Sequence, residues 1–431
     1  MSTDKHHTFL MLQGHPSGFW RRLGTALEAA GHRVIKVNLC AGDWAFWWRK
    51  PAINYKGSLA DWPVWLRQLL LDQDVTDILY YADRLPYHVS ALSVAQSLDI
   101  DCWAIEFGYL RPDWLTLEPE GMGINSLFPR DWPAIAALAD GQNPPEMEIA
   151  HRHSFFQEAF GEVAFNLLMV FGKPFFRTYV SDKYHWPIID YLSWLRVLAL
   201  RGRDRRHANA LSRQMARPGH SYNLVAMQLQ ADYQIRASSH YKHLEAFLNE
   251  VIVSFAKNAT FDRHLVIKLH PLDNGLENWA KRIHRLIQRA GLRDEVHIIN
   301  GGDLDALIDQ SEGVIYVNST VGLHAIQRDK PSIAMGHAIF DLPGLTHQGG
   351  LDSFWTAPEP VDAGFREVFL RALTTIQVKG SFFDRAGQNR AIATIVSRLT
   401  APDATAGTVA DTPPENASAL PEQVNDLARS A

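Results

Sequence analysis

The segment HLVIKLHPLDNGLENWAKRIHRLIQRAGLRDEVHIIN, His264 to Asn300, has the pattern of a strand, a helix and a second strand. The run LVIKL is short and apolar, as expected of a buried strand. The run NGLENWAKRIHRLIQRAGL has helical spacing, and EVHIIN returns to a strand pattern. Strands that alternate with helices of this length indicate βαβ units and a parallel sheet.

The same alternation occupies both ends of the chain. Near the N-terminus the strand patterns are HTFLMLQG, RVIKVNLC, VTDILYYA and IDCWAIEFGY, each separated from the next by a helical pattern. From residue 222 they are YNLVAMQLQ, HLVIKLHP, EVHIIN, GVIYVNS and PSIAMG. We therefore predict an α/β fold with two Rossmann-like domains, residues 1–144 and 221–400, facing each other across a cleft.

Residues 145–220 differ from both domains, because they are helical, aromatic and increasingly basic. Ile188, Tyr191, Leu192, Leu195, Leu198 and Ala199 recur at helical spacing, and Arg196, Arg201, Arg203, Arg205, Arg206, Arg213 and Arg217 follow or flank them. Two interpretations remain open for this segment: a contact with an anionic membrane surface, or a solvated helical linker. The composition of residues 401–431 predicts a disordered tail.

Composition excludes several classes of protein. The chain has 431 residues and a net charge of −5, so no general basic field indicates nucleic acid. Its two cysteines, Cys40 and Cys102, are too few for a disulfide framework or a cysteine metal cluster. The N-terminus lacks the apolar core of a signal peptide, and no apolar run reaches the roughly 20 residues that cross a bilayer. We expect a protein that is soluble or lies on a membrane surface.

Polar residues follow two strands of the second domain and form a candidate phosphate site. His270 and Pro271 follow LVIKL, and Asn318, Ser319 and Thr320 lie between the strand GVIYV and a helix. Hydroxyl groups and free N–H groups at a helix start favour an anion. Read singly, Ser319 is an ordinary helix cap and His270 an ordinary loop histidine. No GxGxxG motif follows the first strand and no Walker A motif occurs, which disfavours NAD and ATP.

Two carboxylates stand where strands end. Glu106 follows an apolar strand and precedes Gly108, which allows the backbone to turn. Asp232 follows the first strand of the second domain, and a capping role for the next helix is equally open. A carboxylate from each domain is the pattern of glycosyl chemistry. Further candidate substrate contacts are Gln228, Arg236, Gly14 and Arg111.

An ordered set of motifs resembles a known family. The segments FLMLQGHPSGFWRRL, VNLCAGDWAFWW, EFGYLRPDWLTLE, MQLQADYQIR, KLHPLD and VNSTVGLHAI occur in order between about residues 8 and 400. Together they resemble the bacterial capsule polysaccharide biosynthesis family, and within it the single-module β-Kdo transferases. The resemblance implies a GT-B-like fold, CMP-Kdo as donor, retention of the β configuration and a phosphatidylglycerol-type lipid as acceptor.

The resemblance also implies roles for particular residues. The His-Pro motif that holds the CMP phosphate falls on His270 and Pro271, and a Ser/Thr motif with the same task falls on Ser319 and Thr320, with Asn318 and Lys268 beside them. The acidic motif of the family commonly has two carboxylates before the glycine, and here only Glu106 is present. Asp232 matches an aspartate that follows a Gln-containing strand.

From these matches we expect Asp232 as nucleophile and Glu106 as acid/base, with the reverse assignment open. We expect no metal and no other cofactor. The expected place is the cytoplasmic face of the inner membrane, with other capsule-assembly proteins as possible partners and no nucleic acid. Two alternatives stay open: another GT-B enzyme that uses a CMP- or UDP-sugar, including an inverting sialyltransferase-like one, and a catalytically inactive capsule-assembly binding protein.

Overall fold

The computed structural model of the chain describes residues 6–151, 155–215, 217 and 219–401. The strands are β1 (Thr8–Met11), β2 (Arg33–Asn38), β3 (Ile53–Asn54), β4 (Asp77–Tyr80), β5 (Asp101–Ala104), β6 (Trp114–Thr116), β7 (Glu118–Pro119), β8 (Ser221–Ala226), β9 (Arg263–Lys268), β10 (Val296–Ile299), β11 (Gly313–Tyr316), β12 (Ser332–Ala334) and β13 (Gln377–Lys379). The predicted disordered tail lies, from residue 402 on, outside the described residues.

Helices connect most of these strands. They are α1 (Phe19–Ala29), α2 (Ala41–Phe46), α3 (Trp62–Asp72), α4 (Pro86–Gln96), α5 (Trp132–Ala139), α6 (Phe155–Phe171), α7 (Pro187–Met215), α8 (Tyr233–Ala237), α9 (Leu244–Asn258), α10 (Trp279–Arg289), α11 (Leu304–Gln310), α12 (Val321–Gln327), α13 (Leu351–Phe354), α14 (Ala363–Leu373) and α15 (Arg385–Leu399). In the described part of the chain, no helix is long and apolar enough to span a membrane.

The chain forms two compact units. Within the described ranges, unit 1 contains the residues up to 129, 145–182 and those from 373 on, and unit 2 contains 130–144 and 183–372. The sheet of unit 1 has the order β3-β2-β1-β4-β5-β7, and that of unit 2 has the order β10-β9-β8-β11-β12. Each unit therefore has five parallel strands in the Rossmann order 3-2-1-4-5. The predicted α/β fold with two Rossmann-like sheets is confirmed.

The unit boundaries differ from the predicted segments. Residues 130–144 join unit 2, where the Trp132 ring stacks on that of Phe365 with centroids 4.2 Å apart. Residues from 373 on return to unit 1, because β13 pairs with β6 and α15 packs on α1. The predicted helical segment 145–220 is divided: α6 belongs to unit 1 and α7 to unit 2.

The strands of unit 1 carry apolar side chains on both faces of the sheet, and helices cover both faces. In β1, Phe9 and Met11 join a cluster with Trp20 and Leu23 of α1. Leu10, on the opposite face, joins a cluster of side chains from α3 and α4. Parallel strands that helices cover on both sides have continuous apolar runs, and these runs were the basis for predicting the strands from the sequence.

A buried polar cluster in unit 1 makes its stability sensitive to pH. Glu118 is 1% exposed, accepts a hydrogen bond from Ser126 and lies near Asp83. Burial, and then the neighbouring carboxylates Asp83 and Glu106, raise the pKa of Glu118 to about 8 from its ordinary 4.5. The folded protein thus holds a proton that the unfolded chain releases above about pH 4.5, so the free energy of unfolding falls as pH rises from 4.5 to 8.

We expect Glu118→Gln to flatten this pH dependence. An amide mimics the protonated carboxyl at every pH, so the variant should gain stability over the natural protein on the order of 4 kcal/mol at pH 8, and little near pH 4.5. Urea unfolding curves across this range measure the difference. The exposed Glu148→Gln in the same unit is the matched control, and equal pH slopes for Glu118→Gln and the natural protein would contradict the assignment.

Candidate functional site

The strand register of unit 2 places several predicted site residues in one row. Ala226 of β8 pairs with Lys268 of β9, and Leu224 pairs with both Val266 and Val314. Because side chains alternate along a strand, continuing this register by two residues sets His270, Gln228 and Asn318 side by side on one face. The row lies at the carboxyl ends of β9, β8 and β11, and β8 and β11 flank the point where the strand order reverses. Ligands of open parallel sheets bind at this point.

Gln228 and Asn318 hold each other at the centre of the row. The Gln228 Nε2 group donates to Asn318 Oδ1 at 2.8 Å, and the Asn318 backbone N–H donates to Gln228 Oε1 at 3.0 Å. The Asn318 amide then donates to the carbonyl oxygens of Gln234 (2.9 Å) and Ser238 (3.2 Å). The side-chain amide of Asn318 therefore holds the loop that carries α8 in place, and its predicted contact with phosphate stays a prediction.

Lys268 is the last residue of β9, two residues before His270 and on the same face of the sheet, and it is 5% exposed. Burial lowers the pKa of its ammonium group. Over the described ranges, no side chain or carbonyl group forms an ion pair or hydrogen bond with this ammonium group. A buried charge without a partner is costly, so the position favours binding of an anion. The role of Lys268 at a phosphate stays a prediction.

One ring nitrogen of His270 accepts a hydrogen bond from the backbone. Its Nδ1 accepts from the Leu272 N–H at 3.1 Å, which leaves the proton of the neutral ring on Nε2. Pro271 follows it on an exposed loop. The Ser319 hydroxyl accepts from Val321 N–H at 3.2 Å, and Thr320 occupies the N-cap position of α12 without a capping bond from its side chain. His270, Ser319 and Thr320 thus lie after the ends of neighbouring or near-neighbouring strands, as predicted.

Asp232 caps a helix, which was one of the two interpretations left open. Its Oδ1 accepts from the Gln234 N–H at 2.9 Å at the start of α8. Asp232 is half-buried, so the cap does not by itself exclude a second role for the carboxylate. Its role as nucleophile stays a prediction.

Arg236 and Ser238 add buried polar atoms to this loop. The Arg236 guanidinium lies 5.9 Å from the centroid of the Tyr184 ring, and its Nε has no hydrogen-bond partner among the described residues. Ser238 is 1% exposed, and its hydroxyl also lacks a partner within the described part of the chain. Such atoms are satisfied when a polar ligand or water binds.

Arg130 and His337 extend the site and were missed in the sequence. The His337 backbone N–H donates to the Ser238 carbonyl at 3.1 Å, the same oxygen that Asn318 contacts. Arg130 donates to Nε2 of His337. Burial, and then the Arg130 charge, lower the pKa of His337 to about 4, so its ring is neutral near pH 7. In the sequence, His337 directly follows the last strand pattern, PSIAMG, and this position at a strand end could have identified it. Arg130 lies 207 residues away, and no sequence pattern marks it.

The predicted site residues of unit 1 have mainly structural contacts. A Cβ atom at Gly14 would lie 2.3 Å from the Trp20 ring, so packing explains this glycine. The Arg111 guanidinium lies 5.4 Å from the centroid of the Phe107 ring, and its Nε donates to the Gly108 carbonyl at 3.3 Å. Glu106 follows β5, is half-buried and is tied by its backbone to Thr116. The substrate roles of Gly14, Arg111 and Glu106 stay predictions.

Metal binding was not expected from the sequence. Among the residues that the structure describes, no three His, Cys, Asp or Glu side chains form a group that could hold a metal ion. Whether the protein works without a metal stays a prediction.

The chain is similar to proteins of capsule polysaccharide biosynthesis. Residues 76–383 match the family of capsule polysaccharide biosynthesis proteins. The capsule polysaccharide export protein KpsS of Escherichia coli is 30% identical over 351 residues, covering 81% of this chain and 90% of that protein. The capsule polysaccharide modification protein LipB of Neisseria meningitidis serogroup B is 27% identical over 398 residues, covering 89% and 93%.

The solved structures that match this chain are more distant from it in sequence. The beta Kdo 2,7 transferase of Thermosulfurimonas dismutans KpsC matches 91% of this chain and 99% of that chain, with 15% identity and a TM-score of 0.41. The beta Kdo 2,4 transferase of the same protein matches with 14% identity and a TM-score of 0.42, again covering 91% and 99%.

Proposed function

Because the chain belongs to the capsule polysaccharide biosynthesis family, we propose that it is a glycosyltransferase that moves Kdo from CMP-Kdo to a phosphatidylglycerol-type lipid, with retention, and so starts the linker of a capsular polysaccharide. The observation that carries this proposal is the row His270–Gln228–Asn318 above the buried Lys268, at the switch point of the unit 2 sheet. The phosphate of a nucleotide would supply an anionic partner for the Lys268 ammonium group.

In the proposed donor complex, Lys268 neutralises the phosphate of CMP and His270 donates from Nε2. Ser319 and Thr320 add hydroxyl donors, and Gln228 and Asn318 keep the strand ends in place. These groups stabilise negative charge as it develops on the departing phosphate, which lowers the barrier to cleavage of the sugar–phosphate bond. His270 and Ser319 each accept a hydrogen bond from the backbone, which holds these two donors in place before substrate arrives.

The proposed reaction has two displacements, which together retain configuration. First, a carboxylate oxygen of Asp232 forms a bond to the anomeric carbon of Kdo, and CMP leaves with the electron pair of the broken C–O bond. Second, the acceptor hydroxyl oxygen attacks the same carbon and releases the Asp232 carboxylate. Glu106 takes the hydroxyl proton as this bond forms. No step requires an oxidant, a reductant or a metal.

Incubation of the pure protein with CMP-Kdo and a fluorescent phosphatidylglycerol tests the proposal. We expect a lipid product heavier by one Kdo residue and release of an equal amount of CMP. Parallel reactions with UDP-sugars and with CMP-sialic acid separate the proposed donor from those of other GT-B enzymes. Product formation only with one of these other donors would contradict the Kdo assignment.

A binding protein without turnover is the second candidate. The observation that favours it is the capping bond of Asp232, which gives this residue a structural task without catalysis. Calorimetry with CMP separates the two candidates when combined with the product assay: binding of CMP with no transfer to any lipid would support the binding protein.

The proposed lipid acceptor places the protein at the cytoplasmic face of the inner membrane, and α7 supports this location. Its N-terminal half exposes an apolar stripe, with Ile189 56%, Leu192 62% and Leu195 65% exposed. Arginines 196, 201, 203, 205 and 206 follow the stripe. An apolar stripe beside cations suits the interface of an anionic bilayer, and other capsule-assembly proteins are its alternative partners.

A further inference from the structure

A basic groove lies on the surface of unit 1, between α1, α15 and the turn that follows α2. Its volume is about 640 Å³, and its lining includes Arg21, Arg22, Trp48, Arg49, Lys50 and Ile392. The groove belongs to a different unit from the proposed donor site, and none of its residues has a role in the reaction proposed above. Its chemistry therefore needs a separate explanation.

Four cationic side chains line this groove, and few carboxylates neutralise their charge. Lys50 pairs with Glu28 at 2.6 Å. The Arg22 guanidinium donates to the neutral amide groups of Gln388 and Asn389. In the described ranges, no carboxylate lies within ion-pair distance of Arg21, Arg22 or Arg49. Burial, and then the positive charge of Arg385, lower the pKa of Arg22. The groove therefore has a positive potential that an anion would relieve.

The lining of the groove also contains apolar side chains, which favours an anion that carries an apolar part. Ala26 and Ile392 contribute aliphatic surface, and Trp48 is 46% exposed. The Trp48 ring meets the ring of Trp44 edge to face, with centroids 4.9 Å apart, and Trp44 is 43% exposed. Adjacent exposed indoles beside cations are typical of the membrane interface, where the ring contacts the acyl region and the cation contacts phosphate.

We propose that the basic groove binds the phosphodiester headgroup of an anionic phospholipid and docks unit 1 on the membrane. Arg21, Arg49 and Arg22 donate to the phosphate oxygens, which guanidinium groups match well. Trp48 and Trp44 enter the interface beside the bound headgroup. This docking site is independent of catalysis, and it is also separate from the apolar stripe of α7, which belongs to unit 2.

Sedimentation with vesicles tests the groove in the full-length protein. We compare vesicles of phosphatidylcholine alone with vesicles of an equimolar mixture of phosphatidylcholine and phosphatidylglycerol. The Arg21→Ala/Arg49→Ala protein should bind the mixed vesicles about thirtyfold more weakly than the natural protein, from the loss of two cations near an anionic surface. The natural protein should bind phosphatidylcholine vesicles far more weakly than the mixed ones.

The control removes the same charge from another face of unit 1. Arg33 and Arg67 are exposed and lie outside the groove, so Arg33→Ala/Arg67→Ala should change binding less than twofold. Equal losses in the two double variants would show diffuse charge attraction and overturn the groove. Failure of the natural protein to bind mixed vesicles would overturn it as well.

A soluble probe and an activity assay separate the remaining outcomes. Calorimetry with glycerol 3-phosphate should detect no binding comparable to that of vesicles, and tight binding of this soluble phosphate would contradict membrane docking. Transfer to a water-soluble short-chain acceptor should be unchanged in Arg21→Ala/Arg49→Ala. If that activity is lost together with vesicle binding, the groove is part of the acceptor site and the docking role is wrong. Absence of transfer in the natural protein would instead test only the proposed function.

Discussion

Lys268→Met is expected to weaken binding of CMP and CMP-Kdo about a hundredfold while it makes the protein more stable. Lys268 is 5% exposed, and its ammonium group has no ion-pair partner in the described part of the chain. A charge-assisted bond to a buried phosphate contributes on the order of 2–3 kcal/mol, which corresponds to this loss of affinity. Methionine has a similar length and removes the cost of the buried charge, so the free energy of unfolding should rise by about 1–3 kcal/mol.

Titration calorimetry with CMP and urea unfolding measure the two effects on one variant. Lys257→Met removes an exposed lysine from α9 in the same unit and is the matched control; it should change neither quantity. A structural role for Lys268 predicts the opposite combination, with lower stability and unchanged affinity for CMP. The paired measurement therefore distinguishes an anion-binding lysine from one that supports the fold.

Asp232→Asn is expected to lower turnover at least about a thousandfold with little change in stability. Asparagine caps helices about as well as aspartate, so the hydrogen bond to the Gln234 N–H can be retained. It cannot serve as the nucleophile, because its amide lacks the negative charge. The change therefore separates the observed capping role from the proposed catalytic one.

Turnover with CMP-Kdo, the affinity for CMP and the thermal midpoint measure this prediction. The affinity for CMP should remain near that of the natural protein, since Asp232 is not among the proposed phosphate contacts. Asp232→Ala supplies the comparison: it removes both roles and should cost about 1 kcal/mol of stability from the lost cap. Near-normal turnover of Asp232→Asn would leave Asp232 as a cap alone, and Glu106 would then take its place as the candidate nucleophile.

Much of the site could be predicted because it follows strand ends. The segments after β8, β9 and β11 were identified from apolar runs that stop at polar residues, and parallel strands bring their carboxyl ends to one edge of a sheet. The contacts of each side chain could not be read in this way. Asn318 was predicted as a phosphate contact from its position after a strand, and the sequence did not show that its side-chain amide donates to the carbonyl groups of Gln234 and Ser238. His337 and Arg130 meet only because the chain folds back.

The sequence by itself determined the two Rossmann-like sheets, the helices α6 and α7 and the family, because these depend on local periodicity and on the order of motifs. The tertiary structure decided what each polar group does. It buried Lys268 on the same face as His270, divided residues 145–220 between two units and returned α15 to unit 1. It also gathered Arg21, Trp48 and Arg49 around one groove. The physical reason is that burial, hydrogen-bond partners and electrostatic potential depend on contacts between residues far apart in the chain, and periodicity carries no information about them.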